Sequence, residues 1–160
     1  MADHIVEQIL VKIQAVLKAA ATGAGNNVFR NRSTAIPEDT AFPIINQLQG
    51  PIRPLAGRDG FLNLNYIDSE LEVYLDLAVA SIDVAGEATE TALNQLWKQA
   101  HMALLAGGVT NLGLTFVFII FPTGADEPVL HSEADQQYVT MRTSWAVRFR
   151  TNLSDPTQVS

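Results

Sequence analysis

The 160-residue sequence contains no cysteine. That excludes disulfides, thiolate nucleophiles and zinc–thiolate centres. Charge is scarce too: charged residues make up 17% of the chain and hydrophobic ones 48%, leaving more uncharged surface than an ordinary soluble domain carries. Such a surface favours a subunit that buries part of itself against neighbours. Positive charge is the scarcer sign, with 10 Lys and Arg against 17 Asp and Glu and a net charge of −7. Binding nucleic acid by neutralising phosphates needs the opposite balance, as does docking on an anionic membrane. Long apolar runs are also missing. The longest, at 114–122, falls far short of the ~20 residues that span a bilayer. The opening Met-Ala-Asp-His has no basic region, so no signal peptide is expected. Without one, Asn31-Arg32-Ser33 and Asn152-Leu153-Ser154 read as chance matches to the glycosylation pattern.

What is present suffices for one domain with its own core. Residues 4–20 carry Ile5, Ile9, Ile13, Val16 and Leu17 at helical spacing, with Asp3 placed to cap the start. The run from Thr22 to Asn27 is rich in Gly and Asn and ends that helix. Short strands are expected at 28–32 and 42–48. A long loop is expected over 49–67, where Gly50-Pro51, Pro54, Gly57 and Asp59-Gly60 are turn signals. In 70–80, Leu71, Val73, Leu75, Leu77 and Val79 alternate with Glu70, Glu72, Tyr74, Asp76 and Ala78, the pattern of a half-buried strand. A second amphipathic helix follows at 87–105, built on Leu93, Leu96, Trp97, Ala100 and Leu104. Residues 114–121 are apolar on both faces and read as a central strand covered on both sides. Residues 122–134 read as a loop, 138–150 as a long strand, and the last ten as a loose tail. The expected fold is α+β: a mainly antiparallel sheet of about five strands with two principal helices on one face, in a single domain over 1–160.

Catalytic signals are weak. His4, His101 and His131 have no partners at metal-ligand spacing. Gly23-Ala24-Gly25 has a helix before it and a strand after it, the reverse of a phosphate loop. No serine sits in a nucleophile elbow. The expectation is therefore no catalytic residue, no metal and no cofactor.

Two charged rows stand out instead. Glu70, Glu72 and Asp76 share one strand face, and Arg142, Arg148 and Arg150 share another. If the two strands lie in one sheet and face the same way, opposite charges across the pair would help fix their register. The alternative is that one row meets a neighbouring subunit. The loop 49–67 carries Arg53, Arg58, Phe61, Leu62 and Tyr66, too apolar for a free linker, and is the candidate interface loop.

An amphipathic N-terminal helix leads into Val28-Phe29-Arg30-Asn31-Arg32. Then come Phe42-Pro43-Ile44-Ile45-Asn46, the acidic strand Leu71-Glu72-Val73-Tyr74-Leu75, a helix, and a final strand through Trp145-Ala146-Val147-Arg148-Phe149-Arg150-Thr151. This order resembles the tail terminator (tail completion) proteins of long-tailed bacteriophages, over residues 4–151. The resemblance implies a virion protein at the head-proximal end of the tail, assembled in the host cytoplasm. Its partners would be further copies of itself in a ring, usually a hexamer, the tail tube protein and a neck or head-completion protein. The ring would cap the tube, stop its polymerisation and offer a surface for head–tail joining. DNA would pass through the lumen without specific binding, and no membrane is involved. Glu70, Glu72 and Asp76 are candidates for an acidic, DNA-repelling lining. A different neck or head-completion subunit, or a small ligand-binding domain, is the alternative.

Overall fold

Helical spacing at the N-terminus becomes α1 (Ile5–Ala19), which buries Ile5, Val6, Ile9, Leu10, Ile13 and Leu17. The structure is a computed structural model and describes residues 4–31, 41–55, 65–81, 87–132 and 136–158. The helix is capped by His4 rather than the expected Asp3, which lies outside the described residues. The His4 Nδ1 accepts the Val6 amide at 3.1 Å, doing the work of a carboxylate cap. Past the helix, Ala21 (φ +48°) and Gly25 (φ +53°) turn the chain toward the sheet.

The remaining elements are β1 (Val28–Arg30), β2 (Ile44–Pro54), β3 (Tyr66–Ala80), α2 (Glu87–Leu104), a 3-10 turn (Ala106–Gly108), β4 (Val117–Ala125), β5 (Val129–His131) and β6 (Tyr138–Asn152). The strands form one six-stranded sheet in the order β1-β2-β3-β6-β4, with β5 also paired to β6. β1 joins β2 in parallel, and the other pairings are antiparallel. Both helices press on one face. Their apolar stripes share a core with Leu71, Val73, Leu75 and Leu77 of β3 and Met141, Trp145, Val147 and Phe149 of β6. This is the expected α+β layering. No described helix packs on the other face, as an antiparallel sheet permits when that face is polar. No described helix is long and apolar enough to cross a membrane.

Three polar ties fix α1 over β1 and β2. Arg30 forks onto Glu7 through two bonds of 2.8 Å. Gln14 Nε2 donates to the Val28 carbonyl at 2.8 Å. Gln47, only 1% exposed, donates from Nε2 to the Leu10 carbonyl at 3.1 Å, while its Oε1 has no partner among the described residues. The Arg30 pair lowers the Glu7 pKa and raises that of Arg30, the hydrogen bond between them being the largest cause of both shifts.

Three expectations need correcting. The expected loop 49–67 is strand at both ends, because β2 runs to Pro54 and β3 begins at Tyr66, and residues 56–64 lie outside the described residues. Gly50-Pro51 marks a bulge between Gln49 and Ile52, not a turn. Beyond Gln47, β2 has no described strand on its outer edge, where Asn31 Oδ1 accepts the Gln49 amide at 3.4 Å. The Leu55 amide bonds to Asp68 O at 2.8 Å, so by alternation the Pro54 nitrogen faces the free edge, where a missing N–H breaks no ladder.

The second correction concerns 114–121, which is not a central strand: β4 begins at Val117 and lies at the sheet edge. Its two apolar faces have separate uses. Val117 and Ile120 enter the core, and Phe118 and Phe121 pack against arginines on the outside. Third, 122–134 is not one loop. β4 continues through Pro122 to Ala125 with two register shifts, and β5 then resumes the pairing with β6. Prolines and a glycine here interrupt an edge strand without ending it.

The C-terminal segment expected to be loose makes specific bonds. Ile5 N donates to Pro156 O at 3.1 Å, Leu153 N to Asn65 O at 3.0 Å, and Asn152 N to Gln158 O at 3.0 Å.

Candidate functional site

β3 and β6 pair along all of their length, from Tyr66↔Asn152 to Ala80↔Tyr138. Residues directly opposite in an antiparallel pair point to the same side. On the side away from the helices this register sets Asp68 against Arg150, Glu70 against Arg148 and Asp76 against Arg142. Each becomes an ion pair. Arg150 and Arg142 are bidentate, with bonds of 2.7 and 2.9 Å to Asp68 and to Asp76. Arg148 Nε reaches Glu70 Oε2 at 2.9 Å. Glu72 lies opposite Ala146, and its ion-pair partner is Arg53 on β2, at a longer 3.7 Å.

Aromatic rings complete the row. The Arg150 guanidinium lies 3.7 Å from the Tyr66 ring centre and 5.1 Å from that of Phe118. Arg148 lies 5.3 Å from Phe121, and Arg142 lies 5.1 Å from Tyr74. These are cation–π distances. The carboxylate hydrogen bonds are the largest cause raising the pKa of Arg142 and Arg150 above the ordinary arginine value.

The six strand charges picked out in the sequence thus meet on one face, joined there by Arg53 and Tyr66. Arg58, Phe61 and Leu62 lie outside the described residues. Asp68 was missed because the strand was expected to begin only at Glu70. The acidic row is not a bare negative surface, since its four carboxylates each face an arginine. That removes the premise of an acidic, DNA-repelling lining. A carboxylate held this way is also a poor general base and a poor metal ligand, because its lone pairs are engaged.

A second feature lies at the far end of the same face. A groove of about 340 Å³ runs between the start of β2, the end of β3 and the β4–β5 junction. Ile44 and Ala78 form an apolar part of its wall, and Asp76, Asp126, Glu127 and Arg142 supply charge. Beside it the Tyr138 ring stacks between His131, at 4.6 Å, and Phe42, at 5.5 Å. Sequence reasoning passed over the groove because Asp126 and Glu127 fell in a presumed loop.

No protein-family model matches the chain, and no curated protein does. Among solved structures, a chain of the virion of a native gene transfer agent particle superposes with a TM-score of 0.53. The match is at 14% identity and covers 92% of each chain. The fold resembles that of a virion chain. A further solved structure aligns at 16% identity over 91% of this chain and 94% of the other, but its TM-score of 0.39 carries no argument. At this identity the first likeness speaks for the path of the backbone. It says nothing of the charge ladder or the groove, which stand on this chain's own geometry.

Proposed function

We propose that this chain is a structural subunit of a phage-type virion, and more narrowly a tail terminator. It forms a ring, hexameric in the family it resembles, that caps the tail tube, halts its polymerisation and presents a surface for head–tail joining. The observation that carries the reading is the near full-length likeness in fold to a chain of a gene transfer agent virion. The ladder on the outward face of the sheet supports a structural role, because its charges are spent on one another. If the ladder lines the lumen, DNA meets paired charges that sum to zero, which neither hold nor expel phosphates. The segment between Pro54 and Tyr66, with Arg58, Phe61 and Leu62, is the proposed contact to a neighbouring subunit or to the tube. The partners are then the tube protein and a neck or head-completion protein, with no cofactor and no catalysis.

Negative-stain imaging of particles assembled without this protein tests the proposal. Overlong or uncapped tails are expected. Finished tails lacking heads would place the chain among neck or head-completion subunits, and normal infectious particles would refute a virion role altogether.

A further inference from the structure

The groove and the tip of β2 are complementary in charge, and they cannot meet within one chain. In the groove, Arg142 is committed to Asp76 by two short bonds and feels Asp126 only at longer range. Asp126 and Glu127 are exposed and form no ion pair among the described residues, so the groove holds two negative charges without a bonded cation. Val129, 54% exposed, gives the groove an apolar surface, backed by the buried Ile44 and Ala78. An arginine suits such a site, because its methylene stem packs on apolar surface while its head meets the carboxylates.

Arg53 is the most weakly held arginine on this face among the described residues. Its side chain is 69% exposed, and its carboxylate lies at 3.7 Å, against 2.7–2.9 Å for the others. Glu70, directly opposite in register, is taken by Arg148. Across the bulge, Asn46 at the groove and Arg53 lie opposite Asp76 and Glu70, six residue steps apart on β3, about 20 Å at ~3.3 Å per residue. The two ends of the face do not share one normal either, because strand twist, increased at the Gly50 bulge, turns one relative to the other.

We infer that Arg53 of one copy seats in the Asp126–Glu127 groove of the next. The occupant is a second copy of this chain, and the contact rests on the ring reading proposed above. It joins two different patches, so it is heterologous, the kind of contact that closes into rings.

The test uses the full chain, with mass followed by light scattering over a concentration series. Arg53→Glu and the double variant Asp126→Lys/Glu127→Lys each change exposed positions. Each alone is expected to raise the concentration of half-assembly at least about tenfold, with the circular dichroism spectrum of a folded chain retained. Mixed in equal amounts, the two are expected to assemble again, since the carboxylate introduced at position 53 of one then meets the lysines of the other. The milder Arg53→Gln is expected to fall between wild type and the reversals, which separates a lost contact from a damaged fold. Assembly that is indifferent to either reversal, or a mixture of folded variants that stays apart, overturns this contact while leaving the ring intact. A wild-type chain that is monomeric at every concentration and does not assemble on tail tubes overturns the ring reading and this contact together.

Discussion

Replacing Glu70, Glu72 and Asp76 together with Gln, Gln and Asn keeps side-chain size and removes three of the four carboxylates on the outer face. Four arginines then face Asp68 alone, so the ladder passes from neutral to three net positive charges. The whole chain moves from −7 to −4 by the same three charges. Exposed ion pairs contribute about 0.2–1 kcal/mol each. Arg53–Glu72 at 3.7 Å belongs at the bottom of that range and the bidentate Arg142–Asp76 at the top. The three together give a loss of about 1–2 kcal/mol, or roughly 2–8 °C in melting temperature for a chain of this size. In 1 M salt the gap between variant and wild type should shrink, because screening acts on exposed pairs. Freed arginines should also bring weak binding to duplex DNA at low salt, with log K falling against log salt at a slope of about −2 to −3.

Urea unfolding and a salt-series DNA shift assay read the two effects separately. They also distinguish a paired row from a bare acidic one. On a bare row the substitutions would relieve like-charge repulsion, so stability would hold or rise and no arginines would be released toward DNA. A variant as stable as wild type, with no gain in DNA binding at low salt, refutes the pairing argument.

Three further outcomes follow from single positions. A Cβ on Gly50 would lie 2.8 Å from the Glu72 carbonyl oxygen and 3.0 Å from the Tyr74 ring. Gly50→Ala should therefore lose about 1–3 kcal/mol in urea unfolding, and unchanged stability would mean the bulge relaxes freely. Gln47→Met removes a buried oxygen that has no partner among the described residues. The substitution should be neutral or stabilising by up to about 1 kcal/mol, whereas a clear loss would show that the oxygen is satisfied. Glu7→Gln breaks the tie to Arg30. Because folding lowers the Glu7 pKa, the stabilisation is fully present above the unfolded carboxylate value and is lost as pH falls through the folded one. The difference from wild type, below about 1 kcal/mol, should be flat from about pH 5 to 8 and vanish in acid. A difference that persists at about pH 3 would assign it to packing.

How far the sequence could be read depended on whether a residue's partner was local. The apolar faces of α1, α2, β3 and β6 repeat at about 3.6 or 2 residues, and that periodicity alone gave the layers and the buried side of the sheet. Breaker residues were misread where their meaning depends on a neighbouring strand. Gly50-Pro51 read as a turn signal from the sequence, and Pro122 as the start of a loop. Beside β3 and β6 they become a bulge and an edge position, because a strand with one free edge tolerates a missing N–H. For the same reason Phe118 and Phe121 looked like the buried half of a central strand. Nothing nearby in sequence says that Arg148 and Arg150 will lie over them.

The charged rows show the same limit in the part of the molecule that bears on function. Each row was legible as a strand face, but whether it was free or matched turned on register. A slip of one residue between β3 and β6 would set Arg142 against Leu75 or Leu77 of the core and turn the arginines toward it, so burial of the inner face fixes the alternation. A slip of two would preserve that alternation but move Arg142 opposite Ala78 in one direction or Tyr74 in the other, and in the second direction Arg150 would face Tyr66 instead of a carboxylate. Only the observed register sets all three arginines of β6 against acidic residues of β3. The ion pairs are therefore what discriminate between registers of similar hydrophobic fit, and their worth lies in that choice more than in total stability. With the ladder so committed, the charges that this face leaves for a neighbour, among the described residues, are Asp126 and Glu127 in the groove and the loosely held Arg53 at the tip of β2.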